Sequence, residues 1–187
     1  MSETKKPAFK RPSWDAYFMA LAKLAASRST CLSRPTGCVI VRDKQILSTG
    51  YNGSMPGVAH CSDEGVCYRR SIGASDDGKY DYCRSIHAEA NAIALAARQG
   101  VSVKGATVYS TLFPCYVCTK LMASAGISEI VFELSYESWN KERDKHWKEA
   151  TGQAKLKLRE YKIDEKDKIF FEYFIQNETS RRRLKSE

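Results

Sequence analysis

The chain predicts an α/β layer architecture, a strand hairpin followed by βα units stacked on a mixed sheet. Three observations carry this. Strand-like apolar runs alternate with helix-period segments along the 187 residues. Two early strand runs are close enough to pair as a hairpin. Helix start and stop residues bracket each helical stretch.

The elements follow in order. Ser13 is an N-cap residue and Asp15 lies in the first turn, where the helix dipole favours an acid. Trp14, Tyr17, Phe18, Leu21, Leu24 and Ala25 then recur at helical spacing, so 13–28 reads as an amphipathic helix. Residues 37–41 and 45–51 are strands joined by Arg42-Asp43-Lys44. Residues 54–84 are rich in glycine and aspartate without a sustained period and read as a loop or insertion, a length that is uncommon unless functional. Alanine-rich 87–99 is a helix stopped by Gly100. Residues 106–110 form a strand, Pro114 starts a helix reaching 125–126, and 129–132 form the next strand. Residues 138–150 make a charged surface helix ended by Thr151-Gly152. Residues 155–161 alternate as an edge strand, and 169–175 are too apolar to stay in water, so they should dock on the domain or on a neighbouring subunit.

Composition bounds the function. The net charge of +8 sits largely at the ends, with +3 in 1–12 and +2 in 178–187. The body is mildly basic, which suits a small anionic substrate and does not argue for nucleic acid. No apolar run approaches the ~20 residues of a membrane span, and no secretory signal is visible, so a cytoplasmic protein is expected. Seven cysteines, an odd number, in such a compartment point to metal binding or reduced core thiols rather than disulfides. The organisation expected is a basic tail over 1–12, one domain over 13–162 and an extension over 163–187. Arg181-Arg182-Arg183 reads as a solubilising tail.

The chemistry sits in two strings, His87-Ala88-Glu89 and Pro114-Cys115-Tyr116-Val117-Cys118. One imidazole and two thiolates three positions apart make three zinc ligands, His87, Cys115 and Cys118. A three-ligand site keeps a fourth position for water, whereas a closed four-ligand site is structural. Two residues apart, His87 and Glu89 lie about 200° apart on a regular helix, so the ion must sit off the helix N-terminus. Pro114 puts the two cysteines at a second N-terminus, where the dipole favours thiolates. Glu89 is then left as the acid–base group. This H-x-E…P-C-x-x-C string is the general signature of zinc nucleobase deaminases.

Wider motifs resemble the deoxycytidylate deaminase family: Trp14-Asp15-Ala16-Tyr17-Phe18-Met19, Ser27-Arg28-Ser29-Thr30-Cys31, Thr36-Gly37-Cys38-Val39-Ile40-Val41, Ser48-Thr49-Gly50-Tyr51-Asn52-Gly53, His87-Ala88-Glu89-Ala90-Asn91-Ala92-Ile93 and Leu112-Phe113-Pro114-Cys115-Tyr116-Val117-Cys118. The likeness covers about 14–136, including the long insertion; free-nucleoside cytidine deaminases place Cys where His87 stands. The resemblance implies a cytidine-deaminase-like three-layer fold, a mixed central sheet with helices on both faces. It implies conversion of dCMP to dUMP and ammonia, feeding thymidylate synthesis. It also implies a homo-oligomer, a hexamer, activated by dCTP and inhibited by dTTP near Gly50-Tyr51-Asn52-Gly53.

Carried over by resemblance, Asn52 bonds the sugar or base, Arg28 lies near the phosphate end, Phe113 packs against the base and Tyr136 lines the pocket. Each has a plain alternative: a turn residue for Asn52, a helix C-cap for Arg28, a surface side chain for Tyr136. The resemblance also implies a second, structural zinc with cysteines placed like Cys31 and Cys61; Cys67, Cys83 and His60, in the insertion, are further candidate ligands, against the alternative of free thiols. Cys38 reads as core packing and His146 as solvated. Two rival functions share the zinc string. One is a polynucleotide deaminase acting on tRNA adenosine or single-stranded DNA cytosine, and the other a zinc-stabilised nucleotide-binding module without turnover. Acidic residues in the insertion (Asp63, Glu64, Asp76, Asp77, Asp81) argue against the first, and Glu89 against the second.

Overall fold

The computed structural model describes residues 11–74, 81–135 and 141–176. Its first helix, α1 (Trp14–Ala26), is capped by Ser13, whose hydroxyl accepts from the Ala16 N–H at 3.0 Å. β1 (Gly37–Arg42) and β2 (Gln45–Tyr51) follow as an antiparallel hairpin. The turn is tighter than the expected Arg42-Asp43-Lys44 connection: Arg42 pairs with Gln45, leaving Asp43 and Lys44 at φ 51° and 61°. Two positive φ values in succession match the right-handed strand twist. β3 (Gly53–Ser54), α2 (Cys61–Glu64), α3 (Tyr68–Ser71) and β4 (Ser85–Ile86) occupy the insertion. Then come α4 (Ala88–Arg98), β5 (Thr107–Leu112), α5 (Tyr116–Ser124), β6 (Glu129–Leu134), α6 (Lys141–Gln153), β7 (Lys157–Glu160) and α7 (Glu165–Gln176).

The main sheet runs β2-β1-β5-β6-β7, antiparallel at β2-β1-β5 and parallel at β5-β6-β7. Alternating side chains therefore feed two cores. Cys38, Ile40, Val108 and Ile130 pack on Ala88, Ala92 and Ala96 of α4 and on Cys118 and Met122 of α5. Val39, Val41, Tyr109 and Val131 pack on Phe18, Met19 and Ala22 of α1, together with Ile163. Helices cover both faces, as expected, and Cys38 is core packing. Among the described residues no helix is long and apolar enough to cross a membrane.

Asp15 ties α1 to the sheet. It accepts from the Tyr109 hydroxyl at 2.7 Å and from both terminal nitrogens of Arg159 at 2.8 and 3.1 Å, while Arg159 Nε donates to Glu129 at 3.0 Å. Burial alone would raise the Asp15 carboxyl, but these bonds outweigh it and hold it below the usual range. A lowered folded pKa gives stability that is present above the unfolded value and lost as pH falls through the folded one. Asp15→Asn should therefore cost about 1–2 kcal/mol at neutral pH. Thermal melts should show that gap closing below about pH 4; a gap unchanged at lower pH removes this role.

Two expectations are corrected, and a third is met in part. The insertion is not structureless: β3 and β4 pair at its neck, and polar bonds pin its two short helices. Ser62 N–H donates to the Thr30 carbonyl at 3.2 Å, Thr30 Oγ1 meets His60 Nδ1 at 3.2 Å, and Arg84 bonds Glu64 while stacking 3.5 Å over Tyr68. α6 runs through Thr151-Gly152 to Gln153. The apolar 169–175 run lies in α7 and docks only in part. Phe170 and Phe171 are half-buried, whereas Ile169 and Ile175 are 60% and 82% exposed, so this domain alone does not cover it.

Candidate active site

The catalytic strings lie where two helices begin. His87 is the N-cap of α4 and Cys115 the N-cap of α5, both with extended backbone, φ/ψ −69°/152° and −70°/165°. His87 and Cys115 therefore precede their helices instead of lying on a flank, and Cys118 lies in the first turn of α5. Two further features seat α4 on β2: the Ser48 hydroxyl donates to the Ala92 carbonyl at 2.7 Å, and Gly50 offers no side chain to the helix backbone above it.

His87 Nδ1 lies 3.4 Å from both Cys115 Sγ and Cys118 Sγ, and the three donor atoms lie within 4.8 Å of one another. A tetrahedral zinc with ordinary bond lengths would space nitrogen and sulfur by about 3.6 Å. The donors fit that ion. Their protonation is interlocked: a hydrogen bond from Cys118, and then His87, pull the Cys115 thiol far down, while the same bond and burial push Cys118 up. The contact with Cys115 raises the imidazole against the opposing effect of burial. The contacts favour the thiolate form of Cys115, the form that binds a divalent cation.

Glu89 lies in the first turn of α4 and is 4% exposed. It stands outside the three-donor set. Burial raises its carboxyl, against a backbone hydrogen bond and the His87 charge that lower it. Beneath it the Ser110 hydroxyl approaches Oε1 at 3.4 Å, and the fully buried Cys38 is paired with Ser110 across β1 and β5. The arrangement couples a cation site to a buried acid able to carry a proton.

The other sequence candidates divide. Asn52 is buried, and its side chain is committed to the loop after α1. Oδ1 accepts from the Ser29 hydroxyl at 2.6 Å and the Thr36 N–H at 2.8 Å, and Nδ2 donates to the Arg34 carbonyl at 2.9 Å. Arg28 is exposed just past α1, whose C-cap is Ser27, not Arg28. Phe113 is half-buried beside Cys115. Tyr136 lies outside the described residues. Cys31, Cys61, Cys67 and Cys83 are free, and Cys83 feels the charges of Cys31 and Cys67. Among the described residues, the set of three or more donors close enough to share an ion is the His87 set. Sequence reasoning missed Ser110, which left a readable sign, a polar residue at an inward position of a buried strand.

The family model for the cytidine and deoxycytidylate deaminase zinc-binding region matches residues 12–134. The chain is 39% identical over 160 residues to a deoxycytidylate deaminase of Schizosaccharomyces pombe, covering 86% of this chain and 47% of the relative. Thus it spans about half the length of that yeast protein. With the deoxycytidylate deaminase of a Mycobacterium phage it shares 43% identity over 128 residues, 65% of this chain and 95% of the other. The fold is similar to that of a dCMP deaminase from the cyanophage S-TIM5, crystallised with dCMP and dUMP. That match has a TM-score of 0.62 at 23% identity, over 82% of this chain and all of the other. A matched segment that contains every residue of the three-donor cluster and its buried acid makes the assignment plain: this chain belongs to the cytidine and deoxycytidylate deaminase zinc-binding family.

Proposed function

We propose that this chain deaminates dCMP hydrolytically to dUMP and ammonia. The observation that carries the chemistry is Glu89, a buried carboxyl beside the three donors and outside their set. Zinc on His87, Cys115 and Cys118 supplies a Lewis acid that makes water a nucleophile near neutral pH. Glu89 takes a proton from the attacking water and delivers it to ring N3, drawing electrons from C4. The water oxygen bonds to C4. Glu89 then passes the remaining proton to the amino group, the C4–N bond breaks and ammonia leaves. Burial raises this carboxyl and shields it from bulk solvent as it carries the proton.

The choice of dCMP is supported by the likeness to proteins named deoxycytidylate deaminase, one of them matched over 95% of its length. Asn52 and Arg28 belong to this reading as the groups nearest the sugar and phosphate, Asn52 by holding the loop that carries Ser29, Arg34 and Thr36. So do Phe113, as a wall for the base, and Tyr136. A cytoplasmic homo-oligomer, a hexamer under dCTP and dTTP control, is the accompanying proposal. Its support is the motif resemblance and the apolar side chains that a lone chain leaves exposed, Val117 and Ile175 among them.

Ammonia release from dCMP, dCTP, deoxycytidine and a cytosine oligonucleotide, each with and without dCTP or dTTP, tests the proposal. Turnover confined to dCMP is expected; deamination of the oligonucleotide and not of dCMP overturns it. Metal analysis should find one zinc per chain, removed by chelation together with activity. A second equivalent that survives mild chelation would place an ion among Cys31, Cys61, Cys67 and Cys83.

A further inference from the structure

Phe113 precedes Pro114 and Cys115 at the end of β5, and two rings bracket it. Phe132 of β6 meets it with centroids 4.6 Å apart at 71°, and Trp147 of α6 at 4.4 Å and 62°. The Phe113 N–H donates to the Leu134 carbonyl at 2.7 Å, so its backbone is fixed as well. Trp147 is 7% exposed, and among the described residues its buried indole N–H has no hydrogen-bond partner. A buried donor left unpaired opposes folding. The contact of its ring with Phe113 is what offsets that penalty. Trp147 also lies beyond residue 134, where the family match ends.

We propose that Trp147 is a positioning residue for the substrate ring. It holds Phe113 in one orientation, so that α6 sets the aromatic wall beside Cys115. This rests on the deaminase reading above. Removing the indole takes one ring contact from Phe113 and widens its range of orientations without touching Glu89 or the metal donors. Binding of the pyrimidine suffers, and the proton transfers do not.

Trp147→Leu should raise KM for dCMP up to about tenfold, the scale of one aromatic pair, with kcat and zinc content little changed. Trp147→Phe should recover most of that loss. Phe113→Leu should raise KM similarly, and the double variant should be no worse than either single one. Multiplying effects, an unchanged KM, or a Trp147→Phe variant as impaired as Trp147→Leu would each overturn the proposal. Should Trp147→Leu not fold, fluorine NMR of protein labelled with 5-fluorotryptophan decides. The Trp147 resonance, assigned by its loss in Trp147→Phe, should shift with dCMP in the wild type and not in Phe113→Leu. A shift without turnover leaves this inference standing and sinks the reaction assignment; turnover without a shift does the reverse.

Discussion

Glu89→Gln should lower kcat on dCMP by roughly 10²–10⁴-fold, the range for loss of a positioned acid–base group, while zinc content stays at the wild-type level. The amide keeps the size and much of the hydrogen bonding of the carboxyl. It can still face the Ser110 hydroxyl, so the helix start should not move. What it cannot do is accept a proton from water and return it to the ring and the leaving group. Because Glu89 stands outside the three-donor cluster, its replacement leaves the cation donors intact. Single-turnover kinetics with metal analysis on the same sample checks both halves. Loss of zinc in parallel with loss of rate would show Glu89 to be a ligand, and the proposed mechanism would fall.

The placement of Glu89 apart from the three donors was legible in the sequence because it depends on local geometry. Residues two positions apart on a helix cannot both face one flank, so His87-Ala88-Glu89 demanded an ion at the helix end, and His87 is the N-cap of α4. Proline before Cys115 carried the same information for α5. The sheet was legible for a related reason: Cys38 to Val41 alternate between two cores, and both halves of the alternation are apolar, the mark of a strand covered on two faces. The insertion was not legible. Its order comes from single polar bonds between residues far apart in sequence, such as Ser62 to Thr30 and Arg84 to Glu64, and these leave no period. Asn52 shows a different limit. An Asn before Gly signals a turn or a ligand contact equally well, and only its bonds to Ser29, Thr36 and Arg34 reveal a loop clasp. Trp147 meets Phe113 across thirty-four positions of sequence, a contact set by how α6 crosses the sheet.

Gly50→Ala is expected to damage the fold and the site together. Gly50 sits inside β2, opposite Cys38, with the start of α4 laid directly over it. A Cβ there would come 2.2 Å from the Ala88 carbonyl oxygen and 2.6 Å from the Ala92 nitrogen. Both are backbone atoms of α4, so no side chain can swing away and the helix itself must lift. Ala88, Ala92 and Ala96 form the stripe that lets α4 lie so close, and glycine within a strand commonly marks such an approach. Overpacking of this kind costs about 1–3 kcal/mol, or more where backbone must move. The functional loss should exceed the thermodynamic one. The residues nearest the clash neighbour His87 and Glu89, and displacement of a catalytic group by 1 Å can cost about 10²-fold in rate. Denaturant melts should show a lower midpoint, and the surviving folded fraction should bind zinc more weakly than wild type as well as turn over slowly. A Gly50→Ala protein with wild-type zinc affinity and rate would mean that α4 is free to shift without consequence, and the close seating of the helix would not be what places the acid beside the metal donors.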